Sequence, residues 1–387
     1  MHKVQIFRMP STIHFGQNAA AFVGREVLRL RCNTPFLVTD KFLLQAGILE
    51  PVLNSLKEIG IKPVLYDAVS AEPTLQHVND GLELFQKERC DLLLSCGGGS
   101  VIDTAKAIAA LATNQGNITD FMGIGKIKNN CRPHIAIPTT AGTGSEATPT
   151  TIITDTKNNV KMLVISEKLI PDVAIVDPLL TLKMPQSITA GTGLDALVHA
   201  IEAYVSVKAT SMSDDFALSA ITLLGANLPV AWSNPDNLEA RSHTMLGALK
   251  AGISFANSSV ALVHGMSRPL GALFHIPHGI SNATLLTAVT RFSIPGNPTR
   301  YSRIGQALGL DTKTLHPLKG AHLAADFIED LVHTLKCPSL SGLGITKDQL
   351  DENVEKMAND AIASGSPGNN PRRATLAEIV ELYYAVL

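Results

Sequence analysis

Four side chains that could bind a metal ion lie in two short segments of the sequence. Asp195 and His199 are four residues apart in "GLDALVHAIEAY", and His264 and His278 are fourteen apart in "VHGMSRPLGALFHIPHG". Residues four apart on a helix share a face, and the Pro-His-Gly turn of the second segment could bring the chain back. Three imidazoles and one carboxylate, with no thiolate, suit Fe²⁺ or Zn²⁺. Spacing alone leaves buried structural histidines as the alternative.

Arg268 and His275 lie between two of those histidines, in a segment with almost no other charge. Arg268 either pairs with a local carboxylate or a cofactor pyrophosphate, or faces the substrate and holds its anionic end. The second interpretation follows because guanidinium binds carboxylate, sulfonate or phosphonate in a fork. Arginine stays protonated and is a poor proton relay, so water or His275 would have to relay a proton. Otherwise His275 is expected beside the metal ligands or in the wall of the site.

A glycine-rich turn in "CGGGSVIDTAKAIA" could bind phosphate. Gly97, Gly98, Gly99 and Ser100 end an apolar strand, and a helix is predicted from about Val101. Glycines let a ligand approach the backbone closely, and the first N–H groups of a helix can donate to phosphate. The segment is not the G-x-G-x-x-G fingerprint, so a tight strand-to-helix turn without a ligand is the alternative.

Two further features favour a dinucleotide. "PTTAGTGSEAT" (Pro138 to Thr148) is a second small-residue loop after a strand, and its hydroxyls could bond phosphate or ribose. Asp40 ends the strand "FLVTD", where its carboxylate could accept from ribose hydroxyls and would repel a 2′-phosphate, which favours NAD over NADP. Asp40 could instead cap the helix that follows.

The elements that must position these residues change type near the middle of the chain. The first half alternates helical stretches with short apolar strands, which are "PFLVTD", "KPVLYDAV", "CDLLLSCGGG", "HIAIPTT" and "VAIVDP". Strands alternating with helices predict a parallel sheet covered on both faces. After about Met184 helix follows helix to Leu387. We therefore expect an α/β domain over residues 1–184 and an all-α domain over residues 185–387.

Composition narrows the class of protein. The 387 residues have a net charge of −2 and no long basic run, so nucleic acid and anionic membrane surfaces are not expected partners. The five cysteines are scattered without C-x-x-C spacing, which indicates reduced thiols in a cytoplasmic protein. The apolar segment Phe216 to Trp232 is shorter than the ~20 residues that a membrane span needs, and we expect a buried core helix there.

Several motifs together resemble a known family. "GGGSVIDTAKAIA", "IPTTAGTGSEAT", "TGLDALVHAIEAYVS" and "VHGM…RPLGA…PHGISNA" are similar, in this order, to motifs of the iron-containing (group III) alcohol dehydrogenases. The resemblance spans nearly the whole chain. It implies an N-terminal NAD-binding α/β domain and an all-helical domain that binds metal and substrate, with the active site in the cleft between them. It also implies a homodimer or larger oligomer.

The resemblance assigns roles to particular residues. It implies that all four family metal ligands are present, as Asp195, His199, His264 and His278, and the presence of both Asp195 and His199 favours Fe²⁺, with Zn²⁺ as the alternative. For NAD it implies a larger set, which comprises Asp40, Gly97, Gly98, Gly99, Ser100, Thr139, Thr140, Thr143, Thr150 and Lys161. It gives His275 no ligand role.

The chain departs from the family pattern at two places. Where relatives have an Asn-Pro-x-Thr-like segment near the adenosine, this chain has "AEPT", with Glu72 in the asparagine position, which strengthens the expected bias against a 2′-phosphate. Where relatives usually have H-x-M-A-H, this chain has "HGMSR", so Arg268 replaces a histidine proposed to help in proton transfer or cofactor contact.

The predicted function is metal-dependent, NAD(H)-linked interconversion of a short-chain primary alcohol and its aldehyde. The metal would polarise the alcohol or carbonyl oxygen, and the nicotinamide would transfer the hydride. The alternative within the same chemistry is a reductase of a short anionic aldehyde held by Arg268, such as a semialdehyde or a phosphono- or sulfo-aldehyde. Two other classes rank below both. The Asp195/His199 pair and the Pro-His-Gly segment argue against a dehydroquinate-synthase-like lyase, and the presence of all four ligands argues against a non-catalytic nucleotide-binding protein.

Overall fold

A computed structural model describes residues 4–70, 72–158 and 160–387. The chain forms two compact units, and Ala71, the first residue of the "AEPT" segment, lies outside the described residues. One unit is Arg8–Lys183, and the other is Met184–Leu387 together with residues 4–7. Each unit is described by itself below.

The unit Arg8–Lys183 alternates strands and helices. Its strands are β1 (Thr12–Phe15), β2 (Pro35–Val38), β3 (Val64–Tyr66), β4 (Leu92–Gly97), β5 (Gly123–Ile124), β6 (His134–Pro138), β7 (Thr150–Asp155), β8 (Val160–Ile165) and β9 (Val173–Val176). Its α-helices are α1 (Val23–Arg29), α2 (Lys41–Gln45), α3 (Glu50–Glu58), α4 (Leu75–Lys87) and α5 (Gly99–Leu111). The predicted α/β class is confirmed.

Six of these strands form one sheet in the order β1-β9-β6-β4-β2-β3, and every neighbouring pair is parallel. Strands β2, β4, β6 and β9 are buried along their whole length. Apolar clusters that include Phe36, Val101 and Ile108 on one side, and Leu37, Val52 and Ile135 on another, account for this burial. Near-continuous apolar runs are typical of strands covered on both faces.

The sequence analysis missed two parts of this unit. Strand β1 pairs in parallel with β9 at the sheet edge. Strands β7 and β8 form an antiparallel pair that continues into a separate three-stranded sheet with β5. Strand β7 has the alternating burial of a strand with one covered face, but its sequence TTIITD shows no alternation of apolar and polar residues, so it gave no period-2 signal.

The order of the strands creates a crevice. From β2 the chain proceeds to β3 on one side and returns to β4 on the other, so the direction of winding reverses between β2 and β4. Parallel α/β sheets bind ligands outside the carboxyl ends of the strands at such a switch point. The residues that follow β2 and β4 are Asp40 and the glycine-rich turn.

In the unit that begins at Met184, every element with an assigned helix or strand is helical, as far as the chain is described. Its α-helices are α6 (Gln186–Val205), α7 (Ser211–Ser233), α8 (Leu238–Asn257), α9 (Leu262–Phe274), α10 (His278–Ser293), α11 (Pro298–Ala307), α12 (Pro317–Thr334), α13 (Lys347–Ala363) and α14 (Leu376–Tyr384). Helix α6 packs against α7, α8 and α10, and α9 packs against α10 and α13. The predicted helical C-terminal part is confirmed.

Helix α7 is long and apolar enough to cross a membrane by length and composition alone, and α8 with α9 passes the same test only as a pair bent by 103°. The core helix of a soluble protein passes this test as well. In α7 the buried residues, which include Ala217, Leu224 and Leu228, form one face, and 39% of the tested window is buried. Asp214 of α7 pairs with Arg300 of α11. We therefore interpret α7 as a helix of this unit covered on one face.

Candidate active site

Helix α6 presents Asp195 and His199 from its buried face. Sixteen of its twenty residues are buried, because small and apolar side chains surround the helix and neighbouring helices cover it. Asp195 and His199 are 2% and 5% exposed. The four-residue spacing places both side chains on one face, and their atoms Oδ2 and Nδ1 are 4.0 Å apart.

His264 and His278 reach the same place from two other helices. His264 is buried in the first turn of α9, and His278 begins α10. A Cβ at Gly279 would lie 2.3 Å from the carbonyl oxygen of Gly191 in α6. Glycine is therefore required at position 279 for the start of α10 to approach α6 this closely.

The structure brings all four predicted ligands together. One ligand atom from each of Asp195, His199, His264 and His278 lies within 4.8 Å of the other three. Oδ1 of Asp195 is 3.8 Å from Nε2 of His264 and 3.7 Å from Nε2 of His278. These separations exceed hydrogen-bond length. Two ligands about 2.1 Å from one ion in a tetrahedral arrangement lie roughly 3.4 Å apart, so the spacing is close to that of a metal site.

The electrostatics of the cluster suit a cation. Burial alone would raise the pKa of Asp195, but the charges of the three histidines and the Asn282 amide outweigh burial, and the pKa is lowered. Burial and the neighbouring imidazoles hold the pKa of His264 well below its usual value. An ionised carboxylate and a neutral imidazole are the forms that bind metal.

Sequence reasoning missed two residues of the site, Glu202 and Asn282. Glu202 lies seven residues after Asp195 on α6, and its Oε2 accepts from Nδ1 of His264 at 2.7 Å and from the backbone N–H of Ala261 at 2.8 Å. Burial raises the pKa of Glu202 to about 7. Since its oxygens accept from backbone donors, the proton of His264 lies on Nδ1 and the lone pair of Nε2 points into the cluster.

Asn282 lies one turn after His278 on α10. Its Nδ2 is 2.6 Å from Oδ1 of Asp195 and 3.2 Å from Nε2 of both His264 and His278. One amide nitrogen thus lies within 3.2 Å of three of the four ligand atoms, so those atoms surround a common region. The donor set, its burial and its protonation state fit a divalent ion.

Access to the cluster is uneven. The side chain of His278 is 43% exposed, whereas those of Asp195, His199 and His264 are at most 6% exposed. A small molecule can therefore approach the ligand atoms on the side of His278. His275 ends α9 in the left-handed conformation with φ 55° and is exposed.

Arg268 lies four residues after His264 on α9. Within the described parts of the chain it makes no hydrogen bond and has no carboxylate within ion-pair distance. Burial lowers the pKa of Arg268, and Glu202 is the one charge that opposes this effect. Pairing with a local carboxylate is therefore not observed among the described residues, and the cofactor pyrophosphate, which was the other partner in the first interpretation of Arg268, stays open.

The glycine-rich turn lies at the crevice of the parallel sheet. A Cβ at Gly97 would lie 2.6 Å from Val101, and one at Gly99 would lie 2.8 Å from Thr143, so side chains at these two positions would displace their neighbours. Helix α5 begins at Gly99, and its first N–H groups are available to an anion. Asp40 follows the adjacent strand β2 and accepts from the N–H of Leu43 at 2.9 Å. Asp40 therefore caps helix α2, which was one of the two roles considered for it from the sequence.

Further predicted cofactor residues lie on the second loop and the β7–β8 pair. The N–H of Thr139 donates to the carbonyl of Gly97 at 3.0 Å, which joins the second loop to the first. Oγ1 of Thr143 accepts from the N–H of Ser145 at 3.2 Å. Nζ of Lys161 is 2.8 Å from Oε1 of Glu72. Glu72, which the resemblance places near the adenosine, is thus a neighbour of Lys161, one of the residues that it assigns to the cofactor.

A buried ammonium group, which the sequence analysis did not single out, holds the second loop. Nζ of Lys106, on α5, donates to Oγ of Ser145, to the carbonyl and hydroxyl of Thr148, and to the carbonyl of Thr150 at 2.8–3.1 Å. Burial lowers the pKa of Lys106 to about 8 against the opposing charge of Asp103. The signal was a lysine on a helix whose other residues, apart from Asp103, are uncharged and mostly small or apolar.

A parallel sheet with a glycine turn at its switch point, and a helical unit with a buried histidine–carboxylate cluster, are together typical of metal-dependent dehydrogenases. The family model "Iron-containing alcohol dehydrogenase" matches residues 10–178. The model "Fe-containing alcohol dehydrogenase family, C-terminal" matches residues 189–387. The chain belongs to the iron-containing alcohol dehydrogenase family.

Two named relatives and one solved structure match this chain over almost its whole length. It is 38% identical to 1,3-propanediol dehydrogenase of Citrobacter freundii, with 97% of each chain covered. It is 36% identical to NAD-dependent methanol dehydrogenase of Bacillus methanolicus, with 97% of this chain and 98% of that one covered. A crystal structure of a 1,3-propanediol oxidoreductase superposes with a TM-score of 0.96 at 35% identity and full coverage of both chains.

Proposed function

We propose that this chain is an NAD(H)-dependent alcohol dehydrogenase and aldehyde reductase for short-chain primary alcohols, and that Asp195, His199, His264 and His278 hold its metal. The observation that supports this most is the convergence of four ligand atoms within 4.8 Å. The names of two relatives, a 1,3-propanediol dehydrogenase and an NAD-dependent methanol dehydrogenase, support a small primary alcohol as substrate.

A bound divalent ion would supply Lewis acidity at the alcohol or carbonyl oxygen, and a bound nicotinamide would accept or supply the hydride. The ligand set has one negative charge, on Asp195, and three neutral imidazoles. It therefore neutralises only part of a 2+ charge. Glu202 holds the proton at Nδ1 of His264 and so keeps Nε2 a ligand. The exposed side of the cluster, at His278, admits the substrate oxygen.

We propose that NAD lies at the crevice between β2 and β4. Gly97, Gly98, Gly99 and Ser100 would bind its phosphates, and Asp40 would accept from ribose hydroxyls while it disfavours a 2′-phosphate. The remaining contacts in this proposal come from Thr139, Thr140, Thr143, Thr150 and Lys161. Fe²⁺ is the proposed ion, in line with the family, although the donor set also suits Zn²⁺.

A homodimer or larger assembly in the cytoplasm belongs to the same proposal. The cytoplasmic location is supported by five cysteines, all of them free thiols. The assembly is supported by the family resemblance alone, and the molar mass in solution measures it directly.

The test is NADH oxidation by anaerobically purified protein loaded with Fe²⁺ or Zn²⁺, with propionaldehyde and lactaldehyde as substrates. We expect about one ion per chain and metal-dependent turnover. In His199→Ala and His278→Ala the metal affinity should fall by more than the ~10–100-fold that loss of an outer partner causes. The matched control is His322→Ala, which removes an exposed imidazole of the same unit.

Two results would contradict the proposal. Turnover that persists in thoroughly metal-free protein would remove the metal from the reaction. Metal-loaded protein that binds NADH but reduces no short aldehyde would indicate a non-catalytic nucleotide-binding protein.

A further inference from the structure

Arg268 differs from the other arginines of the helical unit. The four others that are buried or half-buried all have protein partners: Arg241 donates to Thr189, Arg291 pairs with Asp326 and Glu329, Arg300 with Asp214, and Arg372 with Glu378. Arg268 is half-buried and has neither a hydrogen-bond acceptor nor an ion-pair partner among residues 4–70, 72–158 and 160–387. A guanidinium withdrawn from water without a partner is unfavourable.

The one carboxylate whose charge acts on Arg268 is already engaged by other donors. Glu202, whose charge acts on Arg268, accepts from the backbone N–H groups of Ala261 and Val263 and from the His264 ring. Glu202 cannot turn towards Arg268 without breaking these bonds. An anionic group of a bound ligand would supply the partner that Arg268 lacks among the described residues.

The position of Arg268 fits an anion at the far end of a substrate. It lies one helical turn beyond His264, on the same face of α9, and residues so spaced have Cβ atoms about 5–6 Å apart. Its charge is close enough to act on His264. A substrate with its oxygen at the ligand cluster would thus need roughly two or three carbon atoms to reach the guanidinium.

We propose that Arg268 is a specificity-determining residue that binds the carboxylate, sulfonate or phosphonate end of a short aldehyde or primary alcohol. The inference rests on the proposed function. In the reduction, the aldehyde carbon gains a hydride from the nicotinamide of NADH, its oxygen gains a proton, and NAD⁺ is released. The anionic end takes no part in bond changes. It supplies the partner that Arg268 lacks, in the bidentate geometry that guanidinium favours.

The test compares anionic and neutral aldehydes of matched length on the metal-loaded enzyme: succinic semialdehyde against butyraldehyde, and phosphonoacetaldehyde and sulfoacetaldehyde against propionaldehyde. We expect the wild type to have the higher kcat/KM for the anionic member of each pair. In Arg268→Met that ratio should fall about 10–100-fold, the usual effect of losing a charged hydrogen bond. Arg268→Lys keeps the positive charge but loses the bidentate geometry, so its ratio should lie between those of the wild type and Arg268→Met.

Arg303→Met is the matched control, because Arg303 is an exposed arginine of the same unit and its loss should leave the ratio unchanged. The dissociation constant for NADH, measured by fluorescence, identifies the competing role. If Arg268→Met weakens NADH binding and lowers kcat/KM equally for both substrate classes, Arg268 serves the cofactor and the proposal is wrong. A wild type without preference for anionic aldehydes also overturns it.

Failure of the proposed function has a separate signature. If no aldehyde is turned over, calorimetric titration of Zn²⁺-loaded wild type with 4-hydroxybutyrate and with 1-butanol still tests Arg268. Tighter binding of 4-hydroxybutyrate, reduced in Arg268→Met, supports the anion site without catalysis. Equal binding of the two compounds contradicts it, and this comparison in the wild type does not depend on the variant folding.

Discussion

At the scale of the residue, the protonation of one histidine decides whether the cluster can bind metal. His264 is the ligand whose second ring nitrogen has a carboxylate partner, Oε2 of Glu202 at 2.7 Å. An imidazole can present a lone pair to a metal through Nε2 only when the ring proton is on Nδ1. Glu202 therefore acts as a positioning residue for the metal through His264.

Glu202→Gln should weaken metal binding. The amide would present an N–H to Nδ1 of His264, which favours the tautomer with its proton on Nε2, towards the metal. We expect Zn²⁺ affinity to fall by about 10–100-fold, as for other outer partners of ligating histidines. Chelator competition measures the affinity, and ¹⁵N chemical shifts of the ring report the tautomer of His264.

Glu355→Gln is the control for this change, because Glu355 is an exposed glutamate of α13 in the same unit. A Glu202→Gln protein that folds, keeps the wild-type tautomer and binds Zn²⁺ with unchanged affinity would contradict the positioning role. Loss of affinity without a change of tautomer would assign the effect to the lost negative charge.

Only part of the site could be predicted at this scale. Asp195 and His199 are predictable as a pair because helical periodicity is local. The convergence of α9 and α10 on α6 depends on tertiary contacts such as Gly279 against Gly191, which no spacing encodes. Glu202 shares a face with Asp195 and His199, and that spacing was the one local signal for it. The lack of a partner for Arg268 is visible only when the neighbouring carboxylates have been placed.

At the scale of the element, helix α5 connects the glycine-rich turn to the second loop. The glycine turn begins this helix, and Nζ of Lys106, two turns further along, lies within hydrogen-bond distance of three oxygens of the second loop and of the carbonyl of Thr150 in β7. Asp103, one turn before Lys106, accepts from the hydroxyl of Ser145 at 2.6 Å and from the N–H of Ile152 at 2.9 Å. The same helix therefore fixes the second loop and the start of the β7–β8 pair.

Lys106→Met should disorder the second loop and weaken NADH binding. It removes the donor from four acceptors and leaves Asp103 buried without a nearby cation, so we expect a loss of about 3 kcal/mol in the free energy of unfolding. Denaturant unfolding measures this loss. The dissociation constant for NADH, measured well below the unfolding transition, should rise at least about tenfold, because a loop left mobile must be ordered when the cofactor binds.

Lys87→Met removes an exposed lysine from the neighbouring helix α4 and should change neither quantity. A folded Lys106→Met protein with the wild-type affinity for NADH would show that Lys106 stabilises the fold without positioning the cofactor loop.

Elements were predictable where their pattern is local and strong. The buried strands β2, β4, β6 and β9 are apolar runs closed by turn residues, and the long helices α6 and α8 are helical stretches without an internal proline. The β7–β8 pair was missed because three of the six residues of β7 are threonines and its apolar residues are adjacent, so the sequence does not show the alternating burial that the strand has. The length of α9 could not be predicted because Pro269 lies inside it.

At the scale of the whole molecule, the chain is two compact units, and each has its own buried polar groups. In the α/β unit one of these is His134, at the start of β6, which is 3% exposed and has Nε2 2.7 Å from Oγ of Ser95. Burial, assisted by the charge of Lys106, lowers the pKa of His134 to about 3. In the unfolded chain the same group titrates near pH 6.5.

This difference makes the α/β unit sensitive to acid. Between about pH 6.5 and pH 3 the unfolded chain binds the proton and the folded chain does not, so stability is full above pH 6.5 and falls as the pH falls. From pH 7 to pH 5 this one group should reduce the free energy of unfolding by about 2 kcal/mol. That figure requires only that the folded pKa lie well below 5. The glutamine in His134→Gln cannot titrate, so this part of the decrease in the free energy of unfolding between pH 7 and pH 5 should be absent.

Hydrogen exchange at pH 7 and pH 5, corrected for the intrinsic pH dependence, measures the effect by unit. Peptides that cover β4 and β6 should lose more protection in the wild type than in His134→Gln. His322→Gln, which removes an exposed imidazole of the helical unit, should behave as the wild type does. Equal acid loss in wild type and His134→Gln would mean that other groups determine the acid limit of this unit and that His134 accepts a proton in the folded state.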